Sequence, residues 1–259
     1  MHGMARPEPA SAQDRLRQAA TVAAALAQAV IPSLPALTGW GVPIGERANA
    51  EGPPLVSPAG YAFSIWGPIF AWCLAYAAWQ ALPRQASDPV ARRAGWWFAA
   101  AMAGDALWAA VFQSGGTAAL TAVILALIAA STIVALARVD TTPLPLRRDQ
   151  LWLLAAPLGL LAGWVSVAAF VNLASALDRA GIAALRDPAS PLSPALVAVA
   201  TATALAVIVR TRPFPTYALA VVWALVAVLA RNGAEATGLT AGVGALLVAA
   251  LALRARWAG

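Results

Sequence analysis

An all-α fold, a polytopic membrane helical bundle of about eight transmembrane helices, is what this sequence predicts, and three observations carry the prediction. Hydrophobic residues make up 61% of the chain and charged residues only 11%, whereas a soluble domain is about one quarter charged. The mean hydropathy is +0.73. The apolar residues also fall into eight runs, each with the ~17 to 25 residues that a spanning helix needs, and lipid leaves the backbone of a single run no partner outside a helix.

Residues 1–17 are polar and hold Arg6, Arg15 and Arg17, which reads as a polar cytoplasmic N-terminus. The first apolar run, 18–37, is interrupted by Pro32 and Pro35. A basic head and the Ala25-Leu26-Ala27 triplet also fit a cleaved signal peptide, but apolar character continues to Leu37 and favours a span. Residues 38–58 form a long Gly- and Pro-rich loop with Trp40, Arg47 and two glutamates. Loops of this length in a compact bundle are often lids or binding loops; a solvated linker is the alternative.

The second run, 57–80, has no charged residue and carries Trp66, Trp72 and Trp79. Phe63, Trp66, Phe70 and Cys73 recur at helical spacing and predict an aromatic wall. Gly67 and Pro68 follow the middle indole, where the missing N–H and the ring of proline predict a bend. Six more runs cover roughly 95–114, 117–137, 151–176, 192–209, 214–230 and 236–253. With the N-terminus inside, thirteen arginines fall in inside segments and four in outside ones. That bias supports eight spans, both termini cytoplasmic and the Trp40 loop outside.

All 17 basic residues are arginine, which with the heavy Ala and Leu content suggests a GC-rich bacterial genome. The net charge of +6 is spread over short caps between apolar runs. It therefore points to an anionic membrane surface and to no nucleic acid. The single Cys73 excludes an internal disulfide, and the single His2 lies at the N-terminus. Neither a zinc site nor a histidine-ligated haem is expected, and GxGxxG, P-loop, HExxH and GxSxG patterns are absent. The expectation is a protein that is not an enzyme and requires no metal or other cofactor.

Two further runs carry polar groups. Asp105 is the one carboxylate deep in the third, where a charge costs on the order of 3 kcal/mol, so it is expected protonated or hydrogen-bonded to another helix. Trp108 and Phe112 stand three and seven residues on, so acid, indole and phenyl are read as one face. In the fifth run Gly159 and Gly163 make a GxxxG pair for close helix approach. Trp164, Ala168 and Asn172 then give an indole, a gap and an amide, with Asn172 the expected partner of Asp105. Three helices thus offer aromatic faces with few polar atoms, which suits a flat apolar ligand with one or two polar groups.

These motifs, Trp66-Gly67 with Phe70, Asp105-x-x-Trp108 with Phe112, and Trp164-x3-Ala168-x3-Asn172, resemble the TspO/MBR (translocator protein) family. The string PAGYAFSIWGPI and the extra C-terminal helices are similar to its tryptophan-rich sensory protein branch. The resemblance covers about residues 20–177 and divides the chain into a five-helix TspO-like core, 18–177, and three additional transmembrane helices, 190–259. It implies a bacterial inner-membrane protein that binds porphyrin, a metal-free tetrapyrrole, or a similar flat hydrophobic ligand under the loop after the first helix. Carried over, the ligand site is Phe63, Trp66, Phe70, Asp105, Trp108, Phe112, Trp164, Ala168 and Asn172, with Trp40 and Arg47 in the lid loop. The family usually has asparagine at Asp105 and tyrosine at Phe70. An acid facing the pocket would oppose porphyrin propionates unless protonated, and Arg47 could offset it.

The expected partners are the lipid bilayer and the small hydrophobic ligand, and a homodimer is admitted. Two competing readings remain: a proton-coupled secondary transporter using Asp105, and an enzyme degrading a bound pigment with light and oxygen, which lacks any nucleophile or base dyad.

Overall fold

The computed structural model describes residues 10–49, 52–141 and 145–257. His2, Arg6 and Glu51 lie outside them, as does the side chain of Arg256. Among the described residues there are no strands, and eight long helices follow one another: α1 (Ala12–Val30), α2 (Trp66–Gln80), α3 (Pro89–Gln113), α4 (Ala118–Asp140), α5 (Ala156–Arg179), α6 (Leu192–Thr211), α7 (Thr216–Asn232) and α8 (Ala236–Trp257). Six helical segments are long and apolar enough to cross a membrane; α3 and α7 are the two that fall outside this set. Their reasons differ. The third helix carries Asp105 and several indoles, which lower its hydropathy, and α7 is only 17 residues long.

Helix starts correct the sequence reading in three places. Ser11 caps α1 in a reciprocal box with Asp14, so helix begins at Ala12 and Arg17 is inside the bundle rather than in a polar tail. Asp88 accepts from the backbone N–H of Val90 and Ala91, with Pro89 filling the first turn, so α3 starts six residues before the expected 95. The second span starts as a different helix type, just ahead of the expected bend. Residues Gly60–Ile65 form a 3-10 helix that passes directly into α2 at Trp66. Pro68 then sits in the first turn, where its missing N–H would have had no intrahelical acceptor.

Packing joins these helices into two rings that share α5. One ring runs α1, α3, α4, α5, α2 and back to α1; the other runs α5, α7, α8, α6 and back to α5. The shared position explains the burial of the segment Arg148–Arg179, 78% against at most 44% for the other five candidate spans. Glycine makes the join. A Cβ on Gly163 would run into the Tyr217 carbonyl of α7, and one on Gly159 would lie 2.6 Å from the Thr216 hydroxyl. The GxxxG pair therefore receives α7, one of the three C-terminal helices, as a direct neighbour.

The loop after α1 is tied on three sides. Val42 N–H donates to the Gln113 carbonyl at 3.1 Å, where Gly41, at φ 79°, lets the two backbones meet. Leu55 N–H donates to Leu185 at 3.1 Å, and Ala59 N–H to Ala227 of α7 at 3.0 Å. The Asn232 amide donates to the Leu55 carbonyl at 2.9 Å, and the Trp223 indole to Ala62 at 3.0 Å. Helix α7 thus fixes where the chain enters α2.

Candidate functional site

A cavity of about 390 Å³ opens inside the first ring, bounded by α2, α3, α4 and α5, with Ala224 of α7 and the loop after α1 completing its wall. Its size is that of a small-molecule site. Seven of the nine expected ligand-site residues line it: Phe63, Trp66, Trp108, Phe112, Trp164, Ala168 and Asn172. Arg47 of the lid loop lines it as well. Phe70, Asp105 and Trp40 are not part of the lining.

Trp66 is the hub of the aromatic wall. Its ring centroid lies 5.7 Å from that of Trp108 and 5.8 Å from that of Trp164, the latter edge-on at 83°. Phe63 meets Trp164 edge-on at 6.0 Å, and Trp108 stacks on Phe112 at 5.0 Å with the planes 15° apart. Phe70 lies behind this surface, stacked on Trp66 at 5.4 Å, so it supports the indole from the side away from the cavity lining. Such offset and edge-on pairs are each worth about 0.5 to 1.5 kcal/mol beyond area burial. They hold the rings as a fixed wall, and Ala168 leaves the gap beside it.

Asn172 and Asp105 are not partners. The Asn172 carbonyl oxygen accepts from the Trp108 indole at 3.4 Å, and its amide donates to the Ala168 carbonyl at 3.1 Å. Asp105 is buried against α1, where Oδ2 accepts from Gln28 Nε2 at 3.0 Å. The reason is angular: residues three apart on an α-helix are offset by roughly 60°. That is enough for Trp108 to face the cavity while Asp105 faces α1. The expected clash between this acid and a ligand's carboxylates therefore has no place in this geometry.

Polar groups gather at the mouth. Arg47 lies with its guanidinium carbon 5.8 Å from the centre of the Phe112 ring. The turn Gly115–Gly116 lies beside it: Gly115 adopts φ 90°, a Cβ there would touch the guanidinium at 3.4 Å, and one on Gly116 would clash with Val111. Across the opening Arg186 makes a two-pronged pair with Asp178, at 2.8 and 2.6 Å. Sequence reasoning missed this side of the site, including Thr121, Ser175, Asp178 and Arg186. Aromatic spacing could not reveal it, although the Gly115–Gly116 pair ahead of a helix was a visible turn signal. Trp40, 44% exposed, stands clear of the cavity.

The chain matches a family described as TSPO-like protein over residues 18–254, a match that runs through all eight helices. No curated protein and no solved structure matches it.

Proposed function

The chain belongs to the TSPO-like family, and on that premise we propose that it holds a porphyrin or a similar flat hydrophobic molecule in the aromatic cavity, as a binding or sensor protein of the membrane. The observation that carries the reading is the indole wall itself. Trp66, Trp108 and Trp164 come from three different helices and meet around one 390 Å³ space. Affinity then comes from ring stacking and apolar burial, with Asn172 and Arg47 orienting whatever polar edge the ligand has. The arginine distribution supports a bacterial inner-membrane setting with both termini cytoplasmic. This orientation places the Arg47 mouth on the outer side.

Titrating protoporphyrin into the purified full chain tests the proposal. Tryptophan emission is quenched saturably in the parent, and the combined Trp66→Ala and Trp164→Ala variant binds more weakly. Quenching that rises linearly without saturation, and equally in the variant, removes the reading.

A further inference from the structure

A second feature of the first ring lies away from the aromatic cavity, along the seam where α1, α2 and α3 meet. Helices α1 and α3 run parallel there in nearly constant register. Asp14 pairs with Arg92 and Gln28 bonds Asp105, at offsets of 78 and 77 residues. Gly95, between those levels, lets α3 pass close over the Arg17 side chain. The facing residues are polar and fully buried: Arg17, Thr21 and Gln28 on α1, Tyr76 and Gln80 on α2, and Asp105 on α3, each at most 1% exposed. A run of buried polar side chains through an apolar bundle is costly unless every group is satisfied.

Protein satisfies them only in part: Thr21 donates to the Arg17 carbonyl, Arg17 Nη2 to the Ala86 carbonyl and Gln80 Nε2 to the Gln18 carbonyl. Among the described residues, Arg17 Nε and Nη1, Gln80 Oε1, Tyr76 Oη, Gln28 Oε1 and Asp105 Oδ1 have no hydrogen-bond partner. They are both donors and acceptors, spread along the seam, so no one anion or cation answers all of them. Water does, since it donates and accepts and fills buried polar sites with two to four partners. The groups are also spread along the seam: Tyr76 and Gln80 stand one turn apart on α2, and Arg17, Thr21 and Gln28 span about three turns of α1.

We propose that this seam is a hydrated path by which Asp105 exchanges protons with the Arg17 end of the bundle. The path has one open end. From Asp105 toward the far end the next buried polar side chain of the seam is Gln113, about 12 Å along α3, and its amide is held by the Pro32 carbonyl. The charged and titratable groups along the route are Asp14, Arg17 and Arg92 at the mouth, Tyr76 and Cys73 on α2, and Asp88, paired with Arg147, at the start of α3. Helix α4 brings Ile128 over Gly104. Asp14, 3.9 Å from Arg17 and 2.7 Å from Arg92, lowers the positive charge of these two guanidiniums at the mouth. In uptake a hydronium at the mouth becomes water and the Asp105 carboxylate becomes a neutral acid; release is the reverse. The inference is independent of the ligand, since none of the seam groups lines the cavity.

Infrared spectroscopy of the reconstituted full chain tests it. At mildly acidic pH the parent shows a protonated-carboxyl carbonyl band that Asp105→Asn lacks. On transfer to D2O this band shifts within minutes, while the α3 backbone amides remain unexchanged. Tyr76→Phe combined with Gln80→Leu slows the shift severalfold. A band that stays unshifted over hours, no band lost in Asp105→Asn, or an unchanged rate in the double variant overturns the proposal. The porphyrin titration reads a different part of the ring, so either result leaves the other interpretable.

Discussion

Replacing Gly163 by alanine tests how the two rings are joined. The added Cβ would run into the Tyr217 carbonyl and lie 2.9 Å from the Ala220 Cβ. Backbone cannot swing aside as a flexible side chain can, so α5 and α7 must separate. Overpacking of this kind costs about 1 to 3 kcal/mol. Gly67→Ala is the matched control: it lies on an exposed face of α2 and its Cβ would meet nothing within 4 Å. There the substitution is neutral or stabilises by about 0.5 to 1 kcal/mol through helix propensity. Thermal unfolding in one detergent, followed by circular dichroism, should separate the two variants by about 1 to 4 kcal/mol, with Gly163→Ala below the parent and Gly67→Ala at or above it. Because Ala224 of α7 lines the cavity, Gly163→Ala should also weaken ligand binding. If Gly163→Ala unfolds no earlier than Gly67→Ala, the close α5–α7 approach is wrong and the shared-helix architecture with it.

Asn232→Ala strips the Leu55 carbonyl of a bond from α7, at a cost of about 1 to 3 kcal/mol; faster dissociation of bound porphyrin in a stopped-flow chase is the expected result. Gln28→Leu removes the one described partner of Asp105 and should destabilise by about 1 to 3 kcal/mol, whereas Asp105→Asn, which keeps an acceptor, should leave the melting temperature close to the parent's. Arg47→Gln should weaken protoporphyrin by about 1 kcal/mol at low salt and by less at high salt, with a neutral aromatic probe unaffected.

The parts of this fold that follow one helix at a time were legible in the sequence. Eight apolar runs became eight helices because each run must satisfy its own backbone in lipid. The GxxxG pair announced a close approach, and aromatic residues at helical spacing announced a wall. What single-helix periodicity does not encode is which neighbour a face meets. Asp105 and Trp108 were read together, yet the roughly 60° between them sends one to Gln28 and the other to Asn172. Cys73, read as a small apolar side chain on the aromatic helix, is fully buried in the hydrophobic core. Conversely, Arg17, Thr21 and Gln28 repeat at four and seven residues, a polar stripe on an apolar helix that sequence alone could have flagged. The role of the last three helices had no sequence signature either. Part of their contribution is made by backbone contacts, Ala59 to Ala227 and Gly163 to Tyr217, which side-chain patterns do not report.

On the proposed function, Trp66, Trp108 and Trp164 enclose the space that a flat ligand occupies. A density map of the reconstituted protein with protoporphyrin tests it most directly. The ring should lie among these three indoles with its carboxylates toward Arg47. A map with the ring on the lipid-facing surface, or with the cavity closed by side chains and no ligand in it, would contradict the account.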